Sequence, residues 1–171
     1  MRYEIGKNIN VVKARLEDVN MLLCFQKEVI NDMENKEFFA PLTKKEFTDP
    51  IQNGFVGILY FNNKMIGLFV LTIPCKEVID EYQLEDNNDV GIFDSIMIKN
   101  EYRGSKLQQQ SLDYAEMIAK TLNLKRIVAT VHPDNVWSLN NFLDKDYKII
   151  NKKNIHGGAR YIIQKTLRTK S

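Results

Sequence analysis

The sequence predicts an α+β fold in α/β/α layers. Its centre is a mixed, largely antiparallel sheet of about seven strands flanked by helices. Three observations carry this. Short β-branched and aromatic runs alternate with segments of helical periodicity in the order β-α-α-β-β-β-α-β-α-β-β. Phe55 to Phe61 and Met65 to Ile73 flank Asn62-Asn63-Lys64, an Asn-rich connector suited to a hairpin. Helical segments between the later strands require crossovers, so hairpins and crossovers share one sheet with helices on both faces.

Taken in order, Ile9 to Ala14 is β-branched and short, and reads as a strand. Leu16 to Met33 is helical, with Val19, Leu22, Leu23, Val29, Ile30 and Met33 on one face. Thr43 with Glu46 fits a capping box that starts a short helix, and Asp49-Pro50 restarts or ends it. Lys76 to Asp89, with Glu85, Asp86 and Asp89, is acidic and polar, a loop or short helix at the edge of a site or a solvated connection. Ile92 to Lys99 is apolar on both faces and should be central. Leu107 to Leu122 is a helix with Leu107, Tyr114, Ala115, Ile118 and Leu122 inward, and Ile127 to Val131 is a buried strand. A short helix spans Asn135 to Asp144. Tyr147 to Ile155 and Arg160 to Leu167 are strands around Gly157-Gly158.

The 171 residues suit a single domain, residues 1–171, without an internal repeat or linker. A net charge of +2 gives no case for nucleic acid or an anionic membrane. No apolar run approaches the ~20 residues that span a bilayer. MRYEIGKNIN lacks a signal-peptide apolar region, and Cys24 and Cys75 fit reduced thiols. Neither has metal-ligand spacing, so no metal is expected. A soluble, cytoplasmic protein is the expectation; oligomeric state is left open, a homodimer included.

The chemistry centres on Ile92 to Lys120, a strand, a glycine-containing turn and a helix start. Free N–H groups at such a start, with the helix dipole, favour an anion. Arg103 adds a guanidinium fork suited to phosphate, and Gly104 permits close backbone approach. Ser105 with Gln108 also forms S-x-x-Q, a capping box that would satisfy the helix without a ligand. Local physics leaves both readings open.

The segment Ile98-Lys99-Asn100-Glu101-Tyr102-Arg103-Gly104-Ser105-Lys106-Leu107-Gln108 resembles the cofactor motif V-x-P-x-x-R-G-x-G-x-G/A of the GCN5-related N-acetyltransferases, the GNAT superfamily. Asn135-Val136-Trp137-Ser138 with Phe142 and Asp146-Tyr147 is similar to the family's N-x-x-A/S…Y…G-F/Y segment. Val12 to Val19 resembles its opening strand and helix, so the likeness covers nearly the whole chain. Lys106 and Gln108 replace motif glycines, Asn100 replaces proline, and Asp146 stands in place of a glycine. Phe142 falls where the family has the tyrosine assigned to protonating the CoA thiolate.

The resemblance implies a GNAT-like fold and an acetyl-CoA-dependent N-acetyltransferase acting on a primary amine of a small molecule or peptide by direct transfer. Backbone groups of Ile96, Met97 and Ile98 would pair with the pantetheine arm. N–H groups from Arg103 through Gly104, Ser105, Lys106, Leu107 and Gln108 would hold the pyrophosphate. An N–H near Met97 or Ile98 would stabilise the oxyanion. Asn135 would contact the arm or cap its helix, and Ser138 is similarly ambiguous.

An alkylammonium of pKa near ~10.4 must lose a proton before it attacks, which calls for a base. Asp94 is the candidate, the one ionisable residue inside an apolar strand, on a face with Ile92, Ile96 and Ile98 by alternation. A structural carboxylate is the competing reading. His132 is a second candidate base, and Tyr147 or Tyr161 a candidate acid in place of Phe142. By the resemblance, Phe25, Asn31, Glu34, Phe39 and the His156-Gly157-Gly158 turn would lie toward the acceptor; for each of the four single residues helix or loop packing is the competing reading. Two other classes compete. Phe142 motivates a CoA-binding sensor or assembly module without chemistry. Acylation of an aminoacyl-tRNA or RNA binding finds no basic, aromatic-interleaved stretch.

Overall fold

The computed structural model describes residues 2–85 and 88–168; Asp86 lies outside them. Eight strands form one sheet in the order β1-β2-β3-β4-β5-β6-β8-β7. They are β1 (Arg2–Gly6), β2 (Ile9–Lys13), β3 (Phe55–Phe61), β4 (Lys64–Thr72), β5 (Val90–Ile98), β6 (Arg126–Val131), β7 (Lys148–Ile155) and β8 (Gly158–Thr166). The added strand is β1, whose polar sequence RYEIG lacks the apolar pattern of a core strand and which pairs only with β2, at the sheet edge. The hairpin follows from its turn, since Asn62 and Asn63 both take positive φ (48° and 66°), as a two-residue primed turn demands.

Five α-helices cover the two faces: α1 (Val19–Asn31), α2 (Lys44–Asn53), α3 (Lys76–Glu81), α4 (Leu107–Thr121) and α5 (Val136–Asp144). Side chains of α4 and α5 share one core with Phe69, Phe93, Ile127 and Ile163. The opposite face packs α1 and α2 over Val56, Leu68, Val70 and Met97, and α3 over Ile92, Val128 and Ile162. Within α1, Phe25 and Gln26 are buried while Leu23 and Ile30 are only half-buried. Gln26 earns its place through both amide atoms: Nε2 donates to the Leu42 carbonyl and Oε1 accepts from the Leu42 N–H, each at 2.8 Å. The α2 capping box forms as expected, but the helix runs through Pro50 instead of breaking there. Pro50 is buried beside fully buried Phe47, and that packing outweighs the missing backbone bond.

Two irregularities of β5 build the site. Its pairing with β6 is the sheet's parallel contact and covers only Val90 to Ile92 against Arg126 to Val128. Beyond Ile92 the strands part. On the other edge, Val70 pairs with Ser95 but Leu71 pairs with Phe93, so Asp94 is the extra residue of a β-bulge. The bulge breaks the alternation that would place Asp94 with Ile96 and Ile98. Asp94 keeps company with Ile92 and Thr72 on the α1/α2/α3 face, whereas Ile96 and Ile98 turn with Phe93 toward α4.

Candidate active site

Where β5 and β6 separate, two adjoining cavities open. One, of ≈ 410 Å³, runs between the α1 end and the α4 turn and includes Ile96, Ile98, Arg103, Gln108, Asn135, Trp137 and Ser138 in its wall. The other, of ≈ 170 Å³, lies deeper and is walled by Phe38, Glu46, Asp94, His132, Phe142 and Arg160 among others. Ile96, Asn135, Ser138, Phe38 and Phe39 border both, so the two form one cleft.

The free edge of β5 supplies backbone groups to the larger cavity. The Lys99 N–H bonds the Ile66 carbonyl of β4 at 2.9 Å. By alternation Met97 also faces β4, and Ile96 and Ile98 present their N–H and C=O to the opened edge. Arg103 Nε reaches the Ile98 carbonyl from that side at 3.4 Å. Met97 therefore leaves the expected set: its carbonyl abuts Gly67, its side chain is fully buried, and it walls neither cavity. The reason is the two-residue period of the strand, which sends neighbours to opposite edges.

At the turn, the capping-box alternative does not form. The Ser105 hydroxyl donates back to the Tyr102 carbonyl at 2.6 Å, and the N-cap of α4, Lys106, makes no side-chain cap. Gln108 instead turns inward, 2% exposed, and its amide donates to Ser138 Oγ of α5 at 3.1 Å. The first N–H groups of α4 are thus left for an anion. Gly104 has φ +82° with open space where a side chain would be, and Lys106 takes the left-handed conformation (φ 61°, ψ 19°) at a position where the motif has glycine. Leu107 offers only its backbone, since its side chain is 3% exposed in the core. Asn135 is the N-cap of α5, its Oδ1 accepting from the Ser138 N–H at 3.3 Å, while it also borders the cleft.

In the deeper cavity Asp94 is half-buried and accepts a hydrogen bond from the Thr72 hydroxyl at 3.1 Å. Burial pushes its carboxyl above the usual carboxylate range. The Thr72 bond opposes this, the Glu46 charge adds to it, and His156 subtracts. Beside it, the Tyr82 hydroxyl lies 2.8 Å from His156 Nε2, and its pKa is raised by burial and then by the Asp94 charge. His132 walls the cavity too; its Nδ1 accepts from the Asp134 N–H at 3.1 Å, so a neutral ring carries its proton on Nε2. Phe142 walls it with its ring packed edge-on to Phe93 and Tyr147.

Tyr147 is not brought to the cleft. It is 2% exposed, and its hydroxyl donates to Glu116 at 3.4 Å, with Lys165 2.7 Å from the same carboxylate. Burial and then Glu116 raise its pKa, which suits a core phenol rather than a proton donor. Tyr161 packs against the same core. Phe25 is buried under the Lys99 ammonium, whereas Phe39 and Glu34 do border the cleft. Glu46, Arg160 and Tyr82 had no site signal in the sequence. Glu46 reads there as a helix cap and the others as strand or loop residues.

The geometry accords with comparison to known proteins. The model of the acetyltransferase (GNAT) family matches residues 26–144, and the chain belongs to that family of acyltransferases. No curated protein matches the sequence. Among solved structures, a GNAT-family acetyltransferase from Streptococcus pneumoniae superposes with TM-score 0.73 at 17% identity, covering 94% of this chain and 99% of that one. The yncA protein of Salmonella typhimurium, solved with its cofactor acetyl-CoA, gives 0.71 at 10% identity, covering 96% and 97%. The aminoglycoside acetyltransferase AAC(6')-Ib, in complex with coenzyme A and kanamycin, gives 0.70 at 14%, covering 92% and 94%.

Proposed function

We propose that this protein transfers the acetyl group of acetyl-CoA directly to a primary amine, with Asp94 as the general base. The observation that carries the reading is the position of Asp94: a carboxyl with a raised pKa, lifted out of the sheet's alternation by a bulge, at the point where β5 and β6 part.

The chain fits acetyl-CoA in three places. The uncapped start of α4, Gly104 and Arg103 suit a pyrophosphate. The free edge of β5 suits the amides of a pantetheine arm, as an added strand would. The narrowing from the larger to the deeper cavity suits an acyl end. When bound, acetyl-CoA supplies an acyl group activated as a thioester. Asp94 accepts the proton that the amine loses on attack, and Glu46 keeps its affinity for that proton high. The free N–H groups of Ile96 and Ile98 face the edge where negative charge develops on the carbonyl oxygen. Phe142 holds the wall but offers no proton, so the departing thiolate takes its proton from water. Cys24 and Cys75 are free and exposed, which suits a reducing compartment such as the cytoplasm.

Thermal shift with acetyl-CoA tests the binding half. At about one hundred times Kd it should add ~2.7 kcal/mol of stability. Thiol release with a panel of amines, amino acids and N-terminal peptides tests the chemistry. Stabilisation without thiol release from any acceptor would make the protein a CoA-binding sensor, the reading that Phe142 favours; no stabilisation would defeat both.

A further inference from the structure

Among the described residues two arginines are buried, and they are treated differently. Arg126, 9% exposed, is neutralised by Asp89 at 2.9 Å and donates to the Glu85 carbonyl at 2.7 Å. Arg160, 4% exposed, has no carboxylate partner among the described residues. Its Nη1 donates to the Ala159 carbonyl and its Nη2 to the Glu37 carbonyl, both at 2.9 Å. That uses two of the five N–H donors of a guanidinium. Carbonyls orient the fork but leave its charge uncompensated, and a buried unpaired charge is costly. Arg160 also walls the deeper cavity, on the same side of the sheet as Asp94. Gly158 leaves it room, because a Cβ there would stand 3.3 Å from Nη1.

The cavity is therefore polarised. Asp94 and Glu46 supply negative charge, and Arg160 supplies fixed positive charge. The two do not pair internally. The Asp94 shift answers to burial, Thr72, Glu46 and His156, and the Arg160 shift to burial alone. At ≈ 170 Å³ the space is smaller than the ~300–1,000 Å³ typical of drug-sized ligands.

We infer that the acceptor is a small zwitterionic amine, an amino acid or close analogue, whose carboxylate pairs with Arg160 while its amine faces Asp94. This rests on the acetyltransferase reading for its amine end, but the anion site stands on Arg160 itself. An arginine fork matches a carboxylate in a bidentate pair, and the pair would take two of the three unused donors. A polycationic acceptor would instead bring like charge against a buried guanidinium.

The test is equilibrium binding to the CoA-loaded protein of L-amino acids, each beside its own carboxamide and its decarboxylated amine. At least one acid should bind ten times or more tighter than its amide. Arg160→Gln should bring that ratio to about one, and Arg160→Lys should keep part of it. No acid favoured over its amide anywhere in the panel, or a ratio that survives Arg160→Gln, overturns the inference. The wild-type acid–amide comparison decides even if the variants fail to fold. Thiol release on the same panel separates the two readings. Acids that bind but release no thiol leave the anion site standing and remove the transferase reading. Acetylation of amides and polyamines without preference does the reverse.

Discussion

Asp94 illustrates what one residue out of register can do. A regular strand would send it to one side or the other of a packed sheet; the bulge gives it the cleft, one hydrogen bond from Thr72, and a raised pKa. Because the raised value belongs to the folded state, the fold holds this proton more tightly than the unfolded chain does. The contribution to stability is fully present below the unfolded pKa of ~3.9 and is lost as pH rises through the folded value. Asp94→Asn should therefore unfold at a higher temperature than wild type at pH 8, with the gap closing below pH ~4, while thiol release falls about 10²-fold and acetyl-CoA affinity is kept. Melting curves against pH and steady-state kinetics check both halves. Glu46→Gln keeps the capping box, which accepts either residue. It removes the charge that raises Asp94, so the acidic limb of the kcat/KM profile should move to lower pH.

The turn into α4 shows a different economy at the scale of one element. A helix start that spends Ser105 on Tyr102 and Gln108 on Ser138 leaves its own N–H groups uncapped. Lys106 holds a left-handed backbone at a cost of about 1–2 kcal/mol that glycine would avoid. The space above Gly104 is empty, so a side chain there would meet a ligand bound at this turn before it meets the protein. Gly104→Glu should fold and yet lose acetyl-CoA affinity by ~100-fold or more, since it sets bulk and negative charge against the phosphates. Calorimetric titration reads this directly; unchanged affinity would place the pyrophosphate elsewhere. The turn, its helix and the uncommon lysine were all legible in the sequence. The destination of Gln108 was not, because S-x-x-Q describes a local bond and Ser138 lies thirty residues away.

Across the whole molecule, the cleft exists because the sheet changes character at its centre. Strands β1 to β5 are antiparallel neighbours, β5 meets β6 in parallel, and that contact ends after three pairs. Parallel pairing comes with the crossover helix α4, and α5 closes the far side of the opening. The tie between them is polar: Gln108 to Ser138, and Gln109 Nε2 to Asn141 Oδ1 at 3.1 Å. Gln108→Leu keeps the backbone N–H groups of the turn but cuts the first of these two bonds and leaves Ser138 Oγ without that donor. A loss of about 1–3 kcal/mol in stability is expected, together with weaker acetyl-CoA binding, measured by denaturant unfolding with and without the ligand.

By itself the sequence determined what local pattern can determine: the order of the core strands and helices, the Asn-Asn hairpin, the α2 cap, the strand-turn-helix of β5 and α4, and the family. Each is written in residues a few positions apart, where periodicity and turn chemistry act. The tertiary structure decided the rest. It added an eighth strand, turned Met97 away from the cleft and Ile96 and Ile98 toward it, and placed Asp94 on a bulge. It sent the Tyr147 hydroxyl to Glu116 and left Arg160 buried without a carboxylate partner among the described residues. These depend on how β4, β6 and β8 meet β5 and its cleft, and no stretch of sequence records the register between strands so far apart in the chain.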